Sequence, residues 1–225
     1  MTAKSSSNWI VLTDFDGTLT ERDVGNDLCR HFLPDLFDRV ISQYEQGNMN
    51  LRAEQAILWQ DFPANKATFA QKALELAKIR RGVNEFLEFC SENTIPVYIA
   101  SCGMDAYIEA VIEEHLSPKA RKSIVEIRSN QVKFSDKKII ELITPDKDPK
   151  SAVPFHKGNW GAELRKTHPD AKILGIGDGS SDFSMVEHVD LIYATRKLAA
   201  KCEELGKEYK PFEDFFSIMA DPIFQ

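Results

Sequence analysis

Three short apolar runs lie far apart in this chain, and each stops at a small polar residue and a glycine. Trp9–Leu12 runs into Thr13-Asp14-Phe15-Asp16-Gly17. Ile95–Ala100 runs into Ser101-Cys102-Gly103, and Ala171–Ile176 into Gly177-Asp178-Gly179. Runs of this length, rich in Ile, Val and Leu and closed by turn residues, read as strands buried on both faces. Leu191–Ala194 reads as a fourth.

Helical spacing fills the gaps between them. Val83, Phe86, Leu87 and Cys90 mark a helix over 82–92, and Ala106, Ile108, Val111 and Ile112 mark another over 105–115. Shorter helices are predicted over 158–166 and 182–187. Strands alternating with helices in this order imply a parallel sheet covered on both faces, an α/β fold. Two segments interrupt the alternation. Residues 21–81 carry only helical patterns (24–32, 34–46, 52–62 and 65–79), which makes them an all-helical insert. Residues 124–143 alternate β-branched and polar side chains, a hairpin with Ser129-Asn130-Gln131 as its turn. The domain expectation is therefore a core of 1–20 and 82–225 with a helical unit of 21–81. The tail Met1–Asn8 is expected to be disordered.

In an open parallel sheet the ligand site lies beyond the carboxyl ends of the strands. Asp14, Asp16, Ser101, Asp178 and Asp182 all fall there. Any one of these aspartates reads equally well as a turn or cap residue. Together they are costly, because several carboxylates meeting at a strand edge repel one another and resist burial. Asp14 and Asp16, two residues apart on extended backbone, point the same way. A cation is the natural remedy, and an all-oxygen donor set suits magnesium (Mg2+). Ser101 offers a hydroxyl to an anion or acts as an ordinary helix cap. Lys157 offers a compact positive charge, with Lys147 and Lys150 as nearby rivals. Cys102 sits in the same turn, where a thiol nucleophile is conceivable.

Other chemistry is weakly represented. The net charge of the 225 residues is −7 and the basic stretches are short, so a nucleic-acid partner is not expected. The four cysteines, Cys29, Cys90, Cys102 and Cys202, form no C-x-x-C pair, which argues against a zinc or redox motif and for a reducing compartment. No stretch is apolar enough to span or anchor to a membrane, and no leader is legible. The expectation is a soluble cytoplasmic protein. The partial glycine pattern Gly175-Ile176-Gly177-Asp178-Gly179 lacks the last glycine of a dinucleotide fingerprint.

Asp14-Phe15-Asp16-Gly17-Thr18 resembles the first motif of the haloacid-dehalogenase-like phosphatases. Ser101, Lys157 and Gly177-Asp178-Gly179-Ser180-Ser181-Asp182 resemble their second, third and fourth motifs, in order. The resemblance implies a Rossmann-like core with a small helical cap inserted after the first motif. It implies that Asp14 is a nucleophile forming an aspartyl-phosphate and that Asp16 is an acid/base. It places Mg2+ on Asp14, the Asp16 carbonyl, Asp178 and Asp182, and phosphate on Ser101, Lys157 and the backbone at Cys102. The helical insert resembles the cap of the phosphoserine-phosphatase-like branch, with Glu21, Asp23 and Arg52 as candidate substrate contacts. True phosphoserine phosphatases have glutamate where Asp23 stands, Gly-Gly where Cys102-Gly103 stands, and asparagine where Ser181 stands. Arg80-Arg81-Gly82-Val83, Ser101–Asp105 and Val153–Lys157 are similar to segments of the methionine-salvage hydroxyketo-methylthiopentenyl-phosphate phosphatases and the small polyol-phosphate phosphatases. The implied partner is a small phosphorylated metabolite. Rival readings on the same residues are a phosphoserine phosphatase, a phosphoacceptor regulatory module, and a phosphomutase.

Overall fold

A computed structural model describes residues 8–224. The expectation of a disordered tail falls mostly on residues 1–7, outside the described part. The elements run β1 (Trp9–Thr13), α1 (Val24–Phe32), α2 (Pro34–Glu45), α3 (Leu51–Trp59), α4 (Lys66–Leu76), α5 (Val83–Glu92), β2 (Val97–Met104), α6 (Asp105–His115) and α7 (Pro118–Arg121). There follow β3 (Ile124–Phe134), β4 (Ile139–Ile143), α8 (Lys157–Thr167), β5 (Lys172–Gly177), a 3-10 segment (Ser180–His188), β6 (Leu191–Ala194), α9 (Arg196–Glu204), β7 (Lys210–Pro211), α10 (Phe215–Met219) and a last 3-10 turn (Pro222–Phe224).

The seven strands form one sheet in the order β4-β3-β2-β1-β5-β6-β7, parallel except for β4. This is the α/β fold that the alternating pattern implies. β1 lies at the centre, with Thr13 opposite Ile99 of β2 and Ile176 of β5. The carboxyl ends of these three strands therefore share one edge. Strand alternation divides the core in two. Val11, Val97 and Ile99 face one side and pack with α5 and α6. Ile10, Leu12, Tyr98 and Ala100 face the other and pack with Trp160 and Leu164 of α8.

Helices α1–α4 leave the sheet and return to it through one narrow stalk. Thr20 and Ile79 form an antiparallel bridge, and Glu21 N donates to Lys78 O at 2.8 Å. Three of the four helices start on a side-chain cap: Asp23, Asn50 and Asn65 each accept from the backbone N–H three residues on. The insert is not a separate hydrophobic unit. Phe69 of α4 packs its ring 5.4 Å from that of Phe134 in β3 and 6.2 Å from that of Tyr107 in α6.

Two local expectations need correction. The hairpin exists, but its turn is at 135–138, where Ser135 N donates to Lys138 O at 2.8 Å. Ser129-Asn130-Gln131 is strand. Asn130 is fully buried and spends its amide on Gln55 Oε1 and Cys102 O, both at 2.7 Å, a role that a solvent-facing turn would deny it. β2 does not stop at Ala100; it continues through Ser101-Cys102-Gly103 to Met104, with its register on β3 broken between Ala100 and Met104. Ser101 is thus a strand residue and does not cap α6. Among the described residues no helix is long and apolar enough to cross a membrane, and the four cysteines are buried and unpaired.

Candidate active site

Asp14 follows β1 directly, and its backbone N–H donates to Ile176 O of β5 at 2.9 Å. That pairing carries the strand geometry one residue past its end and aims the side chain off the sheet edge. Asp178 follows β5 in the same way. Asp182 comes back to this point because the 3-10 segment turns on it: Oδ2 accepts from Asp178 N and Gly179 N, each at 2.9 Å. One carboxylate oxygen from each of Asp14, Asp178 and Asp182 lies within 4.8 Å of the others, and all three residues are buried.

Lys157, the first residue of α8, joins the cluster. Its Nζ lies 2.6 Å from Asp14 Oδ1 and 2.6 Å from Asp182 Oδ1, with no solvent exposure. Thr18 Oγ1 donates toward Asp14 Oδ2 at 3.3 Å. Arg196 Nη1 donates to Asp178 Oδ2 at 3.0 Å from a residue in the left-handed region, φ 49°. Gly17 allows this close approach: its φ is 76°, and a Cβ there would stand 2.5 Å from Asp178 Oδ2.

The charges do not balance. Burial raises the Asp14 carboxyl well above its ordinary value, Asp182 adds to this, and Lys157 only partly offsets it. Asp178 is raised for the same reasons, burial first and Asp182 second. Burial alone would lower Lys157, but Asp14 and Asp182 outweigh it, so the ammonium is held above its usual range. The cluster retains an unmet demand for positive charge at a point where carboxylate oxygens converge. A hard, oxygen-seeking divalent cation fits that donor set.

Asp16 stands beside this group. Val24 N donates to its Oδ1 at 2.9 Å, and Tyr107 Oη donates to its Oδ2. Ser101 Oγ lies 3.4 Å from the same Oδ2 and accepts from Gly103 N at 2.8 Å. Burial is the main reason the Asp16 carboxyl is pushed up to about 6, with Tyr107 and Val24 pulling the other way. Gly103 is tightly constrained: a Cβ would fall 1.8 Å from Tyr107 Oη and 2.5 Å from Asp16 Oδ2.

A cavity of about 340 Å³ opens over these groups. Asp14, Asp16, Ser101, Cys102 and Asp178 form its floor, and the insert supplies Asp23, Cys29, Tyr44, Glu54 and Trp59. Asp23 lines the cavity, and it also caps α1. Glu21 and Arg52 are not among the lining residues. Glu21 pairs with Lys78 at 2.8 Å. Arg52 is spent on the 144–153 loop, donating to Ser151 O, Thr144 Oγ1, Asp146 O and Val153 O at 2.9–3.2 Å. The Cys102 thiol points toward Phe155 O at 3.8 Å, and burial pushes it up to about 12, which disfavours the thiolate that a nucleophile needs. Sequence reasoning missed Tyr107, Glu54, Gln55 and Arg196. Tyr107 looks like one more apolar position of α6, and Glu54 like a solvated acid in the first turn of α3.

The model of the haloacid dehalogenase-like hydrolases matches residues 11–187. The chain belongs to that family. A 2-hydroxy-3-keto-5-methylthiopentenyl-1-phosphate phosphatase of Bacillus cereus (strain B4264) is 30% identical over 217 residues, covering 94% of each chain. A protein of the same name from Lysinibacillus sphaericus (strain C3-41) is 27% identical, covering 92% of this chain and 90% of its own. Among solved structures, a substrate-bound phosphoserine phosphatase superposes with a TM-score of 0.72 over 96% of this chain and 98% of its own, at 16% identity. At that identity the last likeness shows only that this haloacid dehalogenase-like hydrolase shares the fold.

Proposed function

We propose that this chain is a magnesium-dependent phosphatase that cleaves a small phosphorylated metabolite through an aspartyl-phosphate at Asp14. The observation that carries the reading is the Asp14 carboxylate, fixed at Oδ1 by a buried ammonium and approached at Oδ2 by Thr18, on the floor of a cavity it shares with Asp16.

In the first step an Asp14 oxygen bonds to phosphorus and the ester P–O bond breaks. The departing alkoxide takes the proton of Asp16, whose carboxyl is pushed up to about 6, so that a fraction of it stays protonated near neutral pH. In the second step Asp16, now a carboxylate, takes a proton from water. The water oxygen bonds to phosphorus, and the bond to Asp14 breaks to release inorganic phosphate. Ser101 Oγ and Lys157 Nζ would hold phosphoryl oxygens. Tyr107 orients Asp16 for both transfers. Asp14, the Asp16 carbonyl and Asp178 would hold the magnesium ion. Asp182, whose oxygens are taken by two backbone N–H groups and Lys157, supports that arrangement. When bound, the ion supplies charge neutralisation for the phosphoryl oxygens.

Helices α1–α4 act in this reading as a cap of residues 21–81 over a core of 1–20 and 82–225. They close the cavity against water and contact the leaving group. The names of the curated relatives favour a phosphorylated hydroxy-keto compound of a few carbons. Release of inorganic phosphate from 4-nitrophenyl phosphate tests the reading. Release that needs Mg2+ and drops about 10³-fold or more in Asp14→Asn supports it. Release that survives a chelator, or that Asp14→Asn retains, overturns it.

A further inference from the structure

Glu54 is a carboxylate that the mechanism leaves unused. It lies in the first turn of α3, where an acid suits the helix dipole. That benefit needs only an outward-facing position, yet Glu54 is 4% exposed. Four buried side-chain atoms among the described residues lack a hydrogen-bond partner, and Glu54 Oε2 is the one that belongs to a residue lining the catalytic cavity.

Three of the cavity's own donors are committed elsewhere. The Tyr107 hydroxyl goes to Asp16, the Gln55 amide to Cys102 O at 2.9 Å, and Arg196 to Asp178. Burial first and then Asp16 raise the Asp23 carboxyl, and Glu54 adds to this, which deepens the excess of acceptors at this end. A buried acceptor without a donor costs more than the hydrogen bond it would make. A binding site that holds such a group therefore selects ligands that supply the missing donor.

We propose that Glu54 is a specificity residue that accepts a hydrogen bond from the non-phosphate end of the substrate, so that the substrate carries a hydroxyl or ammonium donor a few bonds beyond its ester oxygen. This rests on the phosphatase reading above and narrows it: an alkyl phosphate without a donor is a poor substrate.

The test compares kcat/KM for three probes of similar size: glycerol phosphate, phosphoethanolamine and propyl phosphate. Wild type should prefer at least one donor-bearing probe over propyl phosphate by about tenfold or more. In Glu54→Gln and in Glu54→Met that ratio should shrink, with the change carried mainly by KM. A ratio taken within one variant is unaffected by partial loss of folded protein, which cancels. Preference for phosphoethanolamine alone assigns an ammonium; preference for glycerol phosphate assigns a hydroxyl. A wild-type ratio within about twofold of unity, or one that both substitutions leave unchanged, overturns the inference. The 4-nitrophenyl phosphate assay separates the two levels: turnover of that ester without discrimination sinks the role of Glu54 alone, whereas no turnover of any ester sinks the phosphatase reading too.

Discussion

Lys157 Nζ sits 2.6 Å from Asp14 Oδ1 at a point sealed from solvent, and the same nitrogen is 2.6 Å from Asp182 Oδ1. One buried cation thus ties the end of β1 to the turn after β5. Removing one partner of a buried ion pair strands the others, at a cost of about 3–5 kcal/mol. Lys157→Met should therefore unfold at clearly lower denaturant in metal-free buffer. Adding Asp182→Asn to it should recover part of the loss, because one stranded charge is gone. Equal stability of Lys157→Met and wild type would show that the pair contributes nothing to the fold.

Gly103 leaves the space in which Tyr107 reaches Asp16. Gly103→Ala should displace that hydroxyl and cut kcat by about 10²-fold, since misplacing an acid/base by an ångström is costly. Tyr107→Phe should also lower kcat, but it should cost little more once Gly103→Ala is present. Steady-state kinetics of the two single variants and the double variant checks this. Additive losses would mean that the two residues act separately.

Much of this site is legible in the sequence for one reason. Asp14, Asp178 and Lys157 stand where an apolar strand or a helix start meets a turn, and an ionisable side chain there is conspicuous. Ser101-Cys102-Gly103 is harder to place. Small polar residues read as the end of a strand, whereas here β2 runs through them with a break in register, held by Asn130 and Gln55 on Cys102 O. Tyr107 and Glu54 carry no such signal. Helical periodicity says which face a residue lies on, but not that a core tyrosine presents its hydroxyl to a carboxylate, or that a glutamate on a short helix faces inward. Arg52 and Glu21 mislead for the same reason: both belong to the helical insert, and each finds partners outside the cavity.

A divalent ion that binds the folded site and not the unfolded chain must raise stability. Magnesium should raise the thermal midpoint of wild type in a concentration-dependent way, by the equivalent of about 2–3 kcal/mol at a hundredfold excess over Kd. Asp178→Asn should remove most of that rise. A thermal scan at several magnesium concentrations reads both, and an equal rise in the two proteins would exclude Asp178 as a ligand.

Burial pushes the Glu54 carboxyl up to about 7. The folded protein then keeps this proton up to about pH 7, while the unfolded chain gives it up near 4.5. Its contribution to stability is complete below pH 4.5 and is lost as pH rises through 7. Glu54→Gln should therefore match wild type near pH 4.5 and be more stable by about 1–3 kcal/mol above pH 7. Denaturant titrations at the two pH values check it. A gap of the same size at both would assign the effect to packing.

The nucleophilic role of Asp14 is tested most directly by stopping the enzyme in acid during turnover of 4-nitrophenyl phosphate with Mg2+ and weighing its peptides. One added phosphoryl group is expected on the peptide bearing Asp14, absent without Mg2+ and absent in Asp14→Asn. Steady turnover with that peptide unmodified, or the phosphoryl group on another residue, would contradict it.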